Sequence, residues 1–172
     1  MKKTLNYFAL FFLVFTACGD GKTAKSDEPF GNCQYGAPKA IFNQNIPKVN
    51  THTFQLNKQS AVENVQFEGG VSLELIQSGC EKPKQEFQFT IPSNTKGFTD
   101  QDWITMGIDM FSFMGGLSPD LQPFLLWQGA LKDRINQLKL SLPHELEPRF
   151  FVKMDKVASE DSGVLIVTLY QE

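Results

Sequence analysis

Apolar and polar residues alternate along the chain from His52 to Ile91, a period typical of β-strands half buried against a core. In QEFQFTI, Phe87, Phe89 and Ile91 share one face and polar residues occupy the other. THTFQL, VENVQF and VSLELIQ follow a similar pattern, and a Gly-Gly pair between the last two suits a hairpin turn that needs positive φ. We predict a meander of four antiparallel strands.

The period changes to that of a helix after Phe98. Thr99 is a candidate N-cap, and Asp102 three residues on forms an acidic variant of the capping box. We predict a helix from about Asp100 to Met114, ended by a Gly-Gly pair. One narrow polar stripe follows its surface and consists of Thr105, Asp109 and Ser112. The other sides are apolar, so this helix must be covered on most of its surface.

A second helix is predicted after the segment LSPD, with Ser118 as its cap and Pro119 in its first turn. Pro123 favours a kink, or a true start near Leu121. An apolar stripe follows along Phe124, Leu131, Ile135 and Leu138.

Two more strands, RFFVKMDKV and GVLIVTLYQ, follow a loop predicted at SLPHELEP. The last strand is apolar at almost every position from Val164 to Leu169, so we expect it inside the sheet. The predicted fold is α+β: an antiparallel sheet of about six strands, with a helical hairpin packed on one face, in the order ββββ-αα-ββ.

The N-terminus has the pattern of a secretory signal peptide. Lys2 and Lys3 precede a mostly apolar run from Leu5 to Val14, and small residues stand before Cys18. A helix from Leu5 to Ala17 would be about 20 Å long, too short for the roughly 30 Å of a bilayer core. The segment is therefore predicted to direct export.

The segment FTAC, Phe15 to Cys18, resembles the lipobox of bacterial lipoproteins. The resemblance implies cleavage before Cys18 and acylation of that cysteine, and Gly19 in place of Asp implies an outer-membrane location. Residues 1-17 would be the signal peptide, 18-32 the acylated cysteine with a flexible tether, and 33-172 a single α+β domain. A retained signal anchor and plain secretion remain the alternatives.

Charge excludes one class of partner. Removal of residues 1-17, which contain two lysines and no acid, changes the net charge from −3 to −5 and leaves 155 residues. A mildly acidic chain without a basic cluster is not typical of a nucleic-acid binder. It would not be drawn strongly to anionic lipid, so the acyl chains would supply the membrane affinity.

With Cys18 assigned to the lipid, Cys33 and Cys80 remain as a pair in a compartment where disulfides persist. The bridge would close a loop of 48 residues. Two buried unpaired thiols are the alternative. A redox-active pair is disfavoured, because the two cysteines lack the C-x-x-C spacing.

No motif predicts catalysis, a metal site or a cofactor. His144 and Glu145 begin the zinc motif H-E-x-x-H, but Pro148 stands where the second His should be. GLSPD lacks the second glycine of G-x-S-x-G. Asp100 and Asp102 form a D-x-D pattern that holds a metal in some enzymes. Here both carboxylates lie in the first turn of the predicted helix, where they stabilise the positive end of its dipole. We therefore predict a protein that is not an enzyme.

One helix face has an unusual density of methionine and aromatic side chains. Met106, Met110 and Met114 recur every four residues, with Trp103 and Phe111 beside them. The simpler interpretation is a helix buried between the sheet and the second helix. The alternative is that these five residues line a surface for an apolar ligand or a partner, a common use of methionine.

These features predict a non-catalytic lipoprotein that acts as a binding or assembly module at the bacterial membrane. Its partners would be the membrane, through the acyl chains, and an envelope protein or an apolar ligand. A periplasmic inhibitor or immunity protein is one alternative, favoured if SLPHELEP protrudes. A carrier of lipid or another apolar ligand is a second, and it requires a closed cavity beside the methionine-rich helix. An envelope hydrolase is a third, and it requires His52 or His144 near a carboxylate and a nucleophile in a cleft.

Overall fold

The computed structural model describes residues 30, 31 and 33–172. The predicted signal peptide, Cys18 and most of the predicted tether lie outside these residues. The described part contains seven strands and two α-helices: β1 (Val49–Leu56), β2 (Ser60–Phe67), β3 (Ser72–Ser78), β4 (Lys84–Ile91), α1 (Asp100–Gly115), α2 (Pro123–Asp133), β5 (Pro143–Glu147), β6 (Phe150–Val157) and β7 (Gly163–Gln171).

All seven strands form one antiparallel sheet in the order β1-β2-β3-β4-β7-β6-β5. The first four strands are the predicted meander, with Gly69 and Gly70 at positive φ in the β2–β3 turn. The last strand in sequence, β7, lies between β4 and β6, which confirms the prediction that it is inside the sheet. The outermost strands are β1 and β5.

One face of the sheet, here called the core face, is covered by the helices. Phe87 on β4 contacts Phe111 of α1, with ring centroids 5.1 Å apart, and Phe124 of α2, at 5.9 Å. Gly107 of α1 faces this side of the sheet, and a Cβ built there would lie in ordinary contact, 3.4 Å from Met154 Sδ. The opposite face, here called the open face, carries no helix of the described chain.

The start of α1 has the predicted cap. The Thr99 hydroxyl accepts from the Asp102 amide at 3.2 Å, and Asp102 Oδ2 accepts from the Thr99 amide at 2.8 Å. The side-chain hydrogen bond to Thr99, and then the backbone one, hold the pKa of Asp102 below its ordinary value. The predicted polar stripe of α1 is exposed. Neither helix in the described residues is long and apolar enough to cross a membrane.

The second helix differs from its prediction at both ends. Ser118 and Pro119 take the predicted cap and first positions, but of a 3-10 turn that spans Pro119–Leu121, and the Ser118 hydroxyl makes no capping hydrogen bond; α2 itself begins at Pro123. The helix also ends at Asp133, before the apolar stripe is complete. The Gln137 amide donates to the Arg134 carbonyl in a turn, and this turn still buries Leu138.

The segment SLPHELEP, predicted as a loop, forms the seventh strand. β5 pairs with β6, with an irregular register between Glu145 and Glu147. The sheet therefore has seven strands rather than about six, and the element order is ββββ-αα-βββ. The strand signal was weak because β5 is short, begins at a proline and buries only Leu146 fully.

Candidate functional site

The five residues predicted as a ligand or partner surface lie at different depths on α1. Trp103, Phe111 and Met114 have no exposed surface, whereas Met106 and Met110 are half-buried and pack against the core. All five belong to the packing between helices and sheet. A binding role for them stays a prediction.

A disulfide joins Cys33 to Cys80, with Cα atoms 4.6 Å apart. It fastens the beginning of an irregular segment, residues 33–46, here called the strap. Gln77 on β3 donates a side-chain hydrogen bond to the Lys39 carbonyl at 2.9 Å, and Phe42 enters the aromatic core. The strap therefore crosses the core face of β2 and β3 before β1 begins.

A buried carboxylate holds the middle of the strap. Glu63, on the core face of β2, has no exposed surface and accepts from the amides of Ile41, at 3.0 and 3.1 Å, and Phe42, at 2.7 Å. His52 Nε2 on β1 lies 2.7 Å from Glu63 Oε1. Both Glu63 oxygens therefore accept hydrogen bonds from the strap backbone. This structural role explains why the His52–Glu63 pair is present.

A shallow groove of about 390 Å³ lies on the open face, across β1 to β4. Eight polar side chains line it, from Thr51, Thr53, Asn64, Gln66, Ser72, Glu74, Gln88 and Thr90. The strand register aligns them in two rows, Thr53-Asn64-Glu74-Gln88 and Thr51-Gln66-Ser72-Thr90. Neighbours within a row are separated by the strand spacing of about 4.8 Å.

The hydrogen-bonding capacity of this groove is largely unused. Gln88 donates to Glu86 at 2.8 Å, but the other seven side chains make no hydrogen bond to any described residue. Burial alone would raise the pKa of Glu86, but hydrogen bonds from Lys84 and Gln88 outweigh it and hold that pKa below its ordinary value. Glu74 is the only charged residue in the lining.

The sequence contains a signal for both Glu63 and the groove in the alternation of the strands. In β2, Glu63 has the same alternation phase as Ala61, Val65 and Phe67, so a strand with that apolar face must bury the carboxylate. The groove residues occupy the opposite phase of four strands. Their rows depend on the register between strands, which the pattern of one strand does not reveal.

The other residues considered for chemistry are explained locally. His144 Nε2 accepts from the Lys139 amide at 2.8 Å in the turn before β5. The Ser118 hydroxyl is buried without a hydrogen-bond partner in the described part of the chain. No group of three or more potential metal ligands occurs among the described residues.

Comparison with protein-family models, with curated proteins and with solved structures finds no match to this chain.

Proposed function

We propose that this protein is a non-catalytic lipoprotein of the bacterial envelope whose open sheet face binds a hydroxyl-rich ligand. The lipobox-like segment supports an anchor at Cys18 in the outer membrane, with the domain facing the periplasm. The groove supports the binding role. Seven unengaged polar side chains, arranged in rows across four strands, are the observation that carries this proposal.

The chemistry of the lining favours a neutral glycan. Four hydroxyls and three amides offer donors and acceptors together, which matches the dual character of sugar hydroxyls. The Glu74 carboxylate accepts hydrogen bonds but repels anions, so phosphate-rich and sulfated ligands are disfavoured. The two rows present these groups at regular intervals, as a chain of sugar rings requires.

Isothermal titration of the full chain with a neutral tetrasaccharide of N-acetylglucosamine tests this proposal. The protein is purified from its own membranes in mild detergent, and its intact mass reports whether Cys18 carries acyl chains. Binding in the millimolar range, near −4 kcal/mol, is expected for an open groove. Ser72→Ala should weaken binding about two- to tenfold, the value of one hydrogen bond.

Ser78→Ala is the matched control, because Ser78 lies on the same strand and the same face but outside the groove. It should bind like the wild type. Absence of binding at concentrations of about 10 mM, or equal weakening by both substitutions, would reject the glycan as the ligand. A sulfated oligosaccharide should bind more weakly than the neutral one, because Glu74 repels it.

A further inference from the structure

The two outer strands of the sheet differ in how well they are protected against pairing with another chain. An edge strand exposes unpaired amides and carbonyls, and proteins guard such edges with short length, proline, charge or bulges. β5 has all four: it has five residues, begins at Pro143, contains acids and has an irregular register. This edge is closed to strand addition.

β1 has almost none of this protection. It has eight residues and contains no Lys, Arg, Asp, Glu or Pro. Its one irregularity, between Val49 and Thr51, leaves the rest of the strand regular. Its histidine is held by Glu63, and no described strand pairs with its outer side. At its end, Leu56 is 47% exposed.

The hairpin register shows which backbone groups face outward. The Asn57 amide donates to the Ser60 carbonyl at 2.7 Å, so this pair is hydrogen-bonded. Hydrogen-bonded pairs alternate along an antiparallel ladder, so Thr51, Thr53 and Gln55 direct their backbone groups toward β2. The amides and carbonyls of His52 and Phe54 therefore point away from the sheet.

We propose that the outer edge of β1 pairs antiparallel with β1 of a second copy of this chain. When the two-fold axis passes through Thr53, His52 of each copy lies opposite Phe54 of the other, and these residues exchange their outward hydrogen bonds. The core faces of the two copies then lie on the same side of the joined sheet. The irregular end of β1, before Thr51, lies outside the paired segment. No formal charges oppose each other, whereas like charges directly opposite would destabilise the pair.

The dimer also enlarges the groove. Thr53 of one copy lies opposite Thr53 of the second copy, and Thr51 lies opposite Gln55 of the second copy. Because Thr51 and Thr53 already line the groove, the second copy's Thr53 and Gln55 extend its two rows across the axis. The Thr53 row then continues as polar side chains across eight strands, whereas the Thr51 row gains Gln55 and ends at Val62 of the second copy. The dimer follows from the edge alone and does not depend on the glycan.

Cysteine cross-linking tests the pairing and its register together. In the full chain in detergent, Thr53→Cys should form an intermolecular disulfide under mild oxidation, because opposed residues at a non-hydrogen-bonded pair have Cα atoms about 4.5 Å apart. Thr51→Cys is the control: two such cysteines would be four residues out of register, roughly 13 Å apart, and should form no intermolecular disulfide although the chains still pair. A mixture of Thr51→Cys and Gln55→Cys chains should cross-link.

Sedimentation of uncross-linked protein gives the second measurement. The wild type should dimerise, and Thr53→Lys should lose the dimer because it places like charges opposite each other, whereas Thr51→Lys should retain it. Equal cross-linking by Thr51→Cys and Thr53→Cys, a monomeric wild type, or a cross-link to a different protein at residue 53 would each overturn the proposal.

Discussion

Glu63 places a carboxylate on the core face of the sheet and uses it as the attachment point of the strap. A buried charge is tolerated only where hydrogen bonds satisfy it, and two backbone amides with one histidine do so here. The strap carries Phe42 into the aromatic core, where its ring stacks on Phe124. By holding the Phe42 amide, the Glu63 carboxylate therefore also helps to position this ring in the core.

Replacement of Glu63 by Gln should therefore be costly although the two side chains have the same shape. One oxygen becomes an NH₂ group that faces donors, and the free energy of unfolding should fall by about 2–4 kcal/mol. Urea denaturation measures this as a lower midpoint. Glu74→Gln on the neighbouring strand is half-exposed and should change stability by no more than about 0.5 kcal/mol. Equal stability of Glu63→Gln and the wild type would show that the carboxylate does not anchor the strap.

At the scale of elements, α1 shows how closely the helices approach their neighbours. Its two buried glycines have different surroundings. A Cβ at Gly107 would meet the flexible end of Met154 at 3.4 Å, which is ordinary contact, whereas one at Gly115 would meet the Leu125 side chain at 2.7 Å and the Leu125 backbone at 3.0 Å.

The two Gly→Ala substitutions should consequently have opposite effects. Gly107→Ala should raise the free energy of unfolding by up to about 1 kcal/mol, because alanine favours the helix and Met154 can move. Gly115→Ala should lower it by about 1–3 kcal/mol, because α2 must shift. Thermal unfolding of the pair measures both signs. A Gly107→Ala variant less stable than the wild type would show that the helix has no room at Met154.

Elements with strong periodicity were predictable from the sequence, and elements defined by their partners were not. The meander, α1 with its cap, and the inner position of β7 follow from alternation, capping residues and apolar runs. β5 pairs through its backbone and has little apolar pattern, so nothing in SLPHELEP distinguished it from a loop. α2 ended early because the turn at Arg134 buries Leu138 without helical geometry. The groove needed the register of four strands.

For the whole molecule, the disulfide connects the strap to the middle of the sheet. The loop that it closes has 48 residues, and the chain-entropy model gives a stabilisation of roughly 4 kcal/mol for a loop of that length. The double variant Cys33→Ser, Cys80→Ser should lose a stability of this order in urea denaturation. Reductant should destabilise the wild type and leave the double variant unchanged. A loss below about 1 kcal/mol would show that the strap is held by its other contacts alone.

The position of Cys80 also determines where mechanical load enters the domain. A pull on the chain before Cys33 enters the domain through the disulfide, at the β3–β4 connection, as well as through the strap. β3 and β4 are each flanked on both sides by other strands. Removal of either strand must therefore break the ladder hydrogen bonds on both of its sides. An oxidised domain is thus protected against being peeled open from its N-terminal side.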